Sequence, residues 1–230
     1  MTGHFHIRNA EVSFNDAQFI IDAFDSTLPH LAAAGNIEQW GTKPFSKRAG
    51  FAERIEDMVA KSESFYKTGT GHPVRVFIAE VEDDPGTASA STTAKLARRV
   101  DVDGKALVAV SFAIVLDERF VSYLQESESL KNHVGAALEK GNFVFLWYLV
   151  TDHRVIGKHR GAGNALIERV KHYASDHGRQ AVWVDCWDGG NGLLVKYYVD
   201  RHFEIVEGFT ISDTKNGTTW KGKLLRLDLS

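Results

Sequence analysis

Cysteine is nearly absent from this sequence: Cys186 is the only one in 230 residues. A single thiol cannot form a disulfide within the chain or supply a cysteine-rich zinc site, and it fits a reducing compartment without proving one. We interpret Cys186 as a small, buried apolar residue without a catalytic role.

Long apolar runs and an excess of charge are also lacking. The longest apolar run, residues 143–150, covers eight residues, whereas a membrane-spanning helix needs about 20. The 27 basic and 30 acidic residues leave a net charge of −3, without the basic excess that drives binding to nucleic-acid phosphates. The first residues, MTGHFHIRNAEV, show no secretory or transit signal. We therefore expect a cytoplasmic protein that binds neither nucleic acid nor membranes.

The composition, 43% hydrophobic and 25% charged, is typical of a globular protein, and we expect a single domain over residues 1–230. Hydrophobic periodicity predicts an α/β (α+β) fold. The predicted strands lie at 5–7, 74–81, 106–115, 143–150, 181–187, 203–211 and 223–229. The predicted helices lie at 15–24, 28–41 with a break at Gly35-Asn36, 49–64, 164–177 and 192–200, with one or two more in 117–141. Residues 82–104 are expected to form a long, mobile connection.

A chemical signal follows the apolar strand at 143–150. A loop rich in glycine and basic residues leads from it into an amphipathic helix. The first turn of a helix offers unpaired N–H groups and about half a positive charge, so this loop indicates an anion site. Lys158, His159 and Arg160 add side-chain charge. The loop matches neither a P-loop nor a GxGxxG dinucleotide turn.

The segment Arg160-Gly161-Ala162-Gly163-Asn164-Ala165 resembles the pyrophosphate loop, Gln/Arg-x-x-Gly-x-Gly/Ala, of the GNAT (GCN5-related N-acetyltransferase) family. In that family a later strand is followed by Asn, by Tyr seven residues on, and by Phe five residues further. Asn191, Tyr198 and Phe203 keep both spacings. The two motifs together are much more specific than either alone. The resemblance covers nearly the whole chain, most firmly residues 143–210.

This resemblance implies a mixed, mostly antiparallel central sheet of about six to seven strands, with a splayed parallel pair and helices on both faces. Residues 82–104 and 117–141 would be inserts. The chain departs from the family's Val-x-Pro-x-x-Arg link, since Gly157 replaces proline. Either the strand continues to Val155, or it ends at Val150 and about five residues are inserted. We favour the second, because a buried strand should not run through polar residues 152–154.

A second departure is His202, which stands where the family usually has glycine before Phe203. Its backbone is therefore expected to need a positive φ.

The family's mechanism implies a role for several residues. Acetyl-CoA would lie between strands 143–150 and 181–187, with its pantetheine arm paired to the backbone of Leu149 and Val150. Residues 160–165 would hold the diphosphate. Tyr198 would protonate the leaving CoA thiolate, since a phenol stays protonated at neutral pH. Asn191 would contact the pantetheine arm or, alternatively, cap a helix.

The general base and the acceptor pocket are less defined. The strand at 143–150 has no glutamate, so Asp152 and His153 are candidates for the base, directly or through water, and a solvated loop pair is the alternative. Glu80 and Glu118 are weaker candidates. Trp40 would either wall the acceptor pocket or anchor a helix end in the core.

The resemblance implies an enzyme that transfers acetyl from acetyl-CoA to a primary amine, of a small molecule, by direct attack in a ternary complex. No metal is expected, because His4 and His6 lack further ligands nearby in sequence. A homodimer is left open. The alternatives are a non-catalytic acyl-CoA-binding or interaction module, and a protein N-terminal or lysine acetyltransferase, whose open groove the inserts at 82–104 and 117–141 would close.

Overall fold

The structure, a computed structural model, describes residues 4–83, 95–213 and 218–229. Its strands are β1 (His6–Asn9), β2 (Val74–Glu82), β3 (Arg98–Val100), β4 (Ala106–Asp117), β5 (Phe143–Thr151), β6 (Ala181–Trp187), β7 (Glu204–Asp213) and β8 (Thr218–Asp228). Its α-helices are α1 (Asp16–Ala33), α2 (Phe51–Thr68), α3 (Ser122–Gln125), α4 (Lys131–Lys140), α5 (Ala162–Asp176) and α6 (Leu193–Val199). None of the described helices is long and apolar enough to span a membrane.

The strands form one mixed sheet in the order β1-β2-β4-β5-β6-β8-β7, with β3 paired to β4 outside this path. Strands β1 and β2, β3 and β4, β6 and β8, and β7 and β8 pair antiparallel, and β5 and β6 pair parallel. The predicted fold class, a mostly antiparallel sheet with one parallel pair, is confirmed. The short strand β3 was not predicted, because its two arginines interrupt any alternation of apolar residues.

The chain divides into two compact units. The first contains Met1–His30, Thr42–Ile114 and Tyr148–Arg169, and the second contains Leu31–Gly41, Val115–Trp147 and Val170–Ser230. A single domain over residues 1–230 stays a prediction. The predicted connection at 82–104 lies partly outside the described residues.

Aromatic residues form the core of the first unit. Phe24 on α1 packs against Phe45, Phe51 and Phe112, at ring-centre distances of 4.6, 5.2 and 5.2 Å. This burial explains why α1 runs through Pro29 to Ala33, although the sequence predicted two helices with a gap at 25–27. The apolar face outweighs the lost backbone hydrogen bond. The predicted stop at Gly35 is confirmed by its positive φ of 73°.

In the second unit Phe120 fills the space beneath two strands. Its ring lies 4.6 Å from Phe143, 5.4 Å from Phe145 and 5.6 Å from Trp183. Helices α3 and α4 confirm the prediction of one or two helices in 117–141. His202 has a φ of 67°, which confirms the backbone conformation expected where the resembling family has glycine.

Candidate functional site

Strands β5 and β6 are paired over only part of their length. Their register runs from Phe143 opposite Ala181 to Leu146 opposite Val184, whereas β5 continues to Thr151 and β6 to Trp187. Strand β5 thus ends one residue after Val150. This agrees with the prediction that the strand ends at Val150 and is followed by an insertion, and it rules out a strand that continues to Val155. A parallel pair that stops halfway leaves backbone groups at its open end for a ligand to use.

The glycine-rich loop leads directly into α5, in the first unit. The Ala162 amide donates to the His159 carbonyl (3.0 Å), and the Ala165 amide donates to the Gly161 carbonyl (3.1 Å). Gly163 and Asn164 lie between these two bonds, in the first turn, where helix amides lack a partner within the helix. Gly161 has a φ of 99°, which favours glycine. This geometry is suited to an anion.

The three basic residues of the loop differ in their partners. Lys158 Nζ lies 3.1 Å from Asp83 Oδ1, so an ion pair already neutralises its charge in part. His159 Nδ1 lies 2.8 Å from the Val155 carbonyl oxygen. Arg160 is exposed at the end of the loop. Arg160 is therefore the cation best placed to meet a ligand.

The predicted pantetheine-binding backbone lies on β5, also in the first unit. Leu149 is partly exposed and Val150 is buried. The Ser111 hydroxyl on β4 donates to the Val150 carbonyl at 2.7 Å. That oxygen is therefore already engaged, and the backbone groups of Leu149 remain the better candidates of the two.

Asp152 is fully buried and paired, rather than solvated as one sequence hypothesis held. Arg154 donates to both of its carboxylate oxygens, with Nε 2.9 Å from Oδ1 and Nη2 2.8 Å from Oδ2. The same guanidinium donates to Asp22 at 2.7 Å. Both carboxylate oxygens are therefore occupied by charged donors and shielded from solvent. The geometry therefore favours a structural role for Asp152 over that of a base.

His153 is stacked on His30, with ring centres 3.9 Å apart and an angle of 14° between the planes. Burial, followed by the nearby His30 and His159 rings, lowers the pKa of His153 to about 4. Its imidazole is consequently neutral at pH 7. The weaker candidates are also engaged: Glu80 accepts from Arg8 and Arg99.

Glu118 is likewise engaged, within the second unit. It accepts hydrogen bonds from Arg179 at 2.5 Å and from the Asn142 amide at 2.9 Å. These contacts favour a structural role for Glu118 over that of a base.

Tyr198 lies in the second unit, on the buried face of α6. Its ring contacts Tyr197 and Phe203 edge-on at 5.3 and 5.5 Å. Burial first, and then the nearby Cys186 and Asp185, raise the pKa of Tyr198 well above its usual value. The phenol thus stays protonated, which a proton donor requires. Burial raises the pKa of Cys186 to about 12, so its thiol is not a nucleophile at neutral pH.

Asn191 precedes α6 but does not cap it. The N-cap position belongs to Gly192, and Asn191 has a φ of 62° inside a short 3-10 helix. Its side chain is exposed. The helix-cap alternative is therefore wrong, and a ligand contact stays a prediction.

Sequence reasoning missed Asp185 on β6. Tyr123 on α3 donates to Asp185 Oδ2 at 3.1 Å. Burial raises the pKa of Asp185 to about 7, and the Tyr123 hydrogen bond opposes this rise. The signal was present in the sequence: alternation along VWVDCW places the carboxylate on the same strand face as Trp183 and Trp187.

Aromatic residues surround that strand face. Trp187 and Phe209 are register partners of Gly222, one on each side. Opposite residues in an antiparallel pair share a face. The Phe209 and Trp220 rings cover Gly222, where a Cβ would lie 2.6 Å from Phe209 Cζ and 2.4 Å from Trp220 Cζ3. We call Tyr123, Trp187, Phe209 and Trp220 the aromatic patch.

Trp40 belongs to a segment that lies beside the aromatic patch. The Trp220 indole Nε1 donates to the Gln39 carbonyl at 3.0 Å, and the Asn36 side chain closely approaches Gly190. Trp40 itself is partly exposed at the end of a short 3-10 helix. Its two predicted roles, as a wall of the acceptor pocket or as the anchor of a helix end, both stay predictions.

The predicted residues therefore fall into two groups. The first unit holds Leu149, Val150, Asp152 and residues 158–165, and the second unit holds Trp40, Asn191 and Tyr198. Within residues 4–83, 95–213 and 218–229, no group of three or more His, Cys, Asp or Glu side chains could hold a metal ion.

Solved structures resemble this chain over almost its whole length. One is YncA from Salmonella typhimurium, described as an acetyltransferase and solved with its cofactor acetyl-CoA (14% identity, 98% of this chain and 94% of that one, TM-score 0.54). Another is the PaiA N-acetyltransferase from Thermoplasma acidophilum in complex with coenzyme A (10% identity, 98% and 99%, TM-score 0.55).

A third similar structure, from Desulfovibrio desulfuricans, is assigned to the GNAT family of acetyltransferases (12% identity, 99% and 100%, TM-score 0.54). No protein-family model matches the sequence, and no curated protein does. The structural similarities show that this chain has the GNAT fold.

Proposed function

We propose that the protein transfers an acetyl group from acetyl-CoA to a primary amine of a small molecule, by direct attack in a ternary complex. The observation that carries the proposal is the parallel β5–β6 pair that stops at Leu146 and Val184, followed by a glycine-rich loop at the start of α5. Similar structures with acetyl-CoA or coenzyme A support the same donor.

The residues at the start of α5 suit the diphosphate of acetyl-CoA. The amides of Gly163 and Asn164 point out of the first helical turn, and Gly161 adopts a conformation that a side chain would strain. Arg160 supplies an exposed positive charge, with Lys158 and His159 beside it. The Leu149 backbone and the exposed Asn191 side chain are proposed to bind the pantetheine arm.

Chemistry in this proposal requires orientation and proton transfer but no covalent enzyme intermediate. The amine nitrogen attacks the thioester carbonyl carbon, forming a C–N bond while the C–S bond breaks. Tyr198 donates its proton to the departing thiolate, a role for which its raised pKa suits it. Trp40 is proposed to wall the acceptor pocket.

Calorimetric titration of the full chain tests the donor site. We expect acetyl-CoA and free CoA to bind with micromolar dissociation constants, whereas ATP, which lacks the pantetheine arm, binds at least about tenfold more weakly. Failure of a folded sample to bind acetyl-CoA would overturn the proposal. Release of free thiol from acetyl-CoA in the presence of primary amines then separates an enzyme from a binding module.

A further inference from the structure

We propose that Asp185 is the general base for the acceptor amine, and that the aromatic patch binds the apolar body of that amine. The acceptor would thus be a cationic primary amine carrying an aromatic or bulky apolar group. This inference rests on the proposed acetyl transfer, but all of its structural support comes from the second unit.

Asp185 lies on β6 at the point where the pairing of β6 with β5 ends. It directly follows Val184, the last residue of β6 in register with β5. On the other side of β6, Asp185 is opposite Leu224 of β8. The carboxylate is therefore flanked by an apolar neighbour on one side and by the open end of the parallel pair on the other.

Within the described residues, this carboxylate accepts a hydrogen bond from its own backbone amide and one from another side chain, the Tyr123 hydroxyl, 3.1 Å from Oδ2. No lysine or arginine forms an ion pair with Asp185 in that part of the chain. This differs from Asp152, whose two oxygens both accept from Arg154. An acidic side chain without a cation, in apolar surroundings, favours a ligand that brings its own positive charge.

The aromatic patch continues from this carboxylate along the same sheet face. Tyr123 and Phe209 are nearly parallel, at 6.4 Å and 18°, and Phe209 lies 5.8 Å from Trp220. Trp187 and Phe209 are buried, while Tyr123 and Trp220 remain partly exposed. Aromatic faces attract cations and pack against apolar groups.

The proton balance of the step uses groups of this unit. Asp185 accepts one proton from the ammonium, and the neutral amine attacks the thioester carbonyl. The C–S bond breaks, and the thiolate takes the Tyr198 proton. The second nitrogen proton restores the phenol through solvent, and Asp185 releases its proton to solvent as the product leaves. Tyr198 and Asp185 are close enough for the carboxylate to raise the pKa of the phenol.

A pH profile must account for the other titratable groups near Asp185. These are Tyr123 on α3, Tyr198 on α6, Cys186 and Asp188 on and after β6, and Glu207, which pairs with Leu224 from β7. The pKa values of Tyr198 and Cys186 are raised well beyond neutral pH. An ionisation near pH 7 is therefore assigned to Asp185.

The decisive experiment measures kcat/KM against pH for 2-phenylethylamine, with putrescine as the amine without a ring. We expect kcat/KM to rise about tenfold per pH unit below pH 7 and to level off above it. Asp185→Asn should reduce kcat/KM at pH 8 by on the order of 10²-fold and remove this ionisation. Tyr123→Phe removes the hydrogen bond that favours the charged carboxylate, so the kinetic pKa should move to higher pH.

Asp228→Asn is the matched control, because Asp228 is exposed and lies opposite Ala181, at the other end of β6. Calorimetry should show unchanged acetyl-CoA affinity for all three variants. The assignment of Asp185 as the base is overturned if Asp185→Asn keeps the kcat/KM of the unmodified chain at pH 8, or if Tyr123→Phe leaves the kinetic pKa unchanged. Neither result would refute acetyl transfer itself.

If the unmodified chain transfers acetyl to no amine, the proposed function is refuted. A binding measurement then tests the acceptor site by itself. Tryptophan fluorescence would follow 2-phenylethylamine at pH 8. We expect the affinity of the unmodified chain for 2-phenylethylamine to exceed its affinity for putrescine. In Asp185→Asn, the affinity for 2-phenylethylamine should fall at least about tenfold. Absence of binding to the unmodified chain would overturn the acceptor site as well.

Discussion

Arg154 forms a two-pronged ion pair with Asp152, with N–O distances of 2.9 and 2.8 Å to the two carboxylate oxygens. Asp152 is fully buried, and its backbone amide also donates to the Val110 carbonyl at 2.9 Å. The pair ties the loop after β5 to the end of that strand. It therefore holds the start of the glycine-rich loop in place.

Replacing the arginine should be strongly destabilising. Arg154→Met leaves the Asp152 carboxylate buried without its cation, and we expect a loss of about 3 kcal/mol in the free energy of unfolding. Urea unfolding followed by tryptophan fluorescence measures this value. Lys196→Met is the control, because its exposed pair with Asp200 should change stability by less than about 0.5 kcal/mol. A loss below about 1 kcal/mol for Arg154→Met would return Asp152 to the candidates for the base.

Tyr198→Phe separates an enzyme from a binding module. The substitution keeps the buried ring and removes the proton that we assign to the leaving thiolate, so kcat should fall by on the order of 10²-fold. Acetyl-CoA affinity, measured by calorimetry, should change less than about twofold. Tyr197→Phe is the matched control on the same helix and should keep its turnover. Equal turnover in both variants and the unmodified chain would refute the role of Tyr198.

Local sequence signals predicted the elements of the site but not its base. The strand Ala181–Trp187 was predicted with its observed bounds, since β-branched and aromatic residues run between Gly178 and Gly189. No pattern within that strand distinguishes Asp185 as a base. The hydrogen bond to its carboxylate comes from Tyr123, which is 62 residues away in sequence, and no local pattern indicates such a contact.

Contacts that no local pattern predicts also explain two wrong predictions, one for helix α1 and one for Asp152. Helix α1 continues through Pro29 because Phe24 is buried by residues from later segments. Likewise, the alternative of a solvated loop pair is wrong for Asp152, because Arg154 closes over its buried carboxylate and no local pattern predicts that contact. By contrast, the conformation of His202 could be predicted, because a motif fixes a backbone requirement at a single position.

Arg160 and Lys158 should contribute unequally to acetyl-CoA binding. Arg160→Ala removes an exposed guanidinium from the start of α5, and we expect affinity to fall about tenfold. Lys158→Ala should have a smaller effect, because Asp83 already neutralises part of the Lys158 charge. Calorimetry with acetyl-CoA measures both. Pantetheine, which lacks the diphosphate, serves as the control ligand, and an equal loss for pantetheine would remove Arg160 from the diphosphate site.

Two glycine substitutions should change stability in opposite directions. Gly222→Ala would place a Cβ 2.4 Å from Trp220 Cζ3, so both rings over this position must shift, and we expect a loss of about 2 kcal/mol. Gly135→Ala lies on α4 with no atom within 4 Å of the new Cβ. It should gain about 0.5 kcal/mol, since alanine favours the helix. Thermal unfolding compares the pair, and a neutral Gly222→Ala would mean that the aromatic patch is loosely packed.

His153 should make the protein less stable in acid. Burial, the nearby His30 and the nearby His159 lower the pKa of His153 to about 4, whereas an unfolded histidine titrates near pH 6.5. Between these values the unfolded chain binds a proton that the folded chain does not. The contribution of neutral His153 is therefore present above pH 6.5 and is lost as pH falls from 6.5 towards 4.

The size of this effect can be isolated with His153→Phe, which keeps a flat ring against His30. Because His153 is partly exposed, we expect it to account for about 1 to 2 kcal/mol of the stability lost between pH 7 and 4.5. Urea unfolding at both pH values should show that much less loss in the variant. His133→Asn, on the exposed face of α4, should keep the pH dependence of the unmodified chain. If His153→Phe keeps the pH dependence of the unmodified chain too, burial of His153 is ruled out as a source of acid sensitivity.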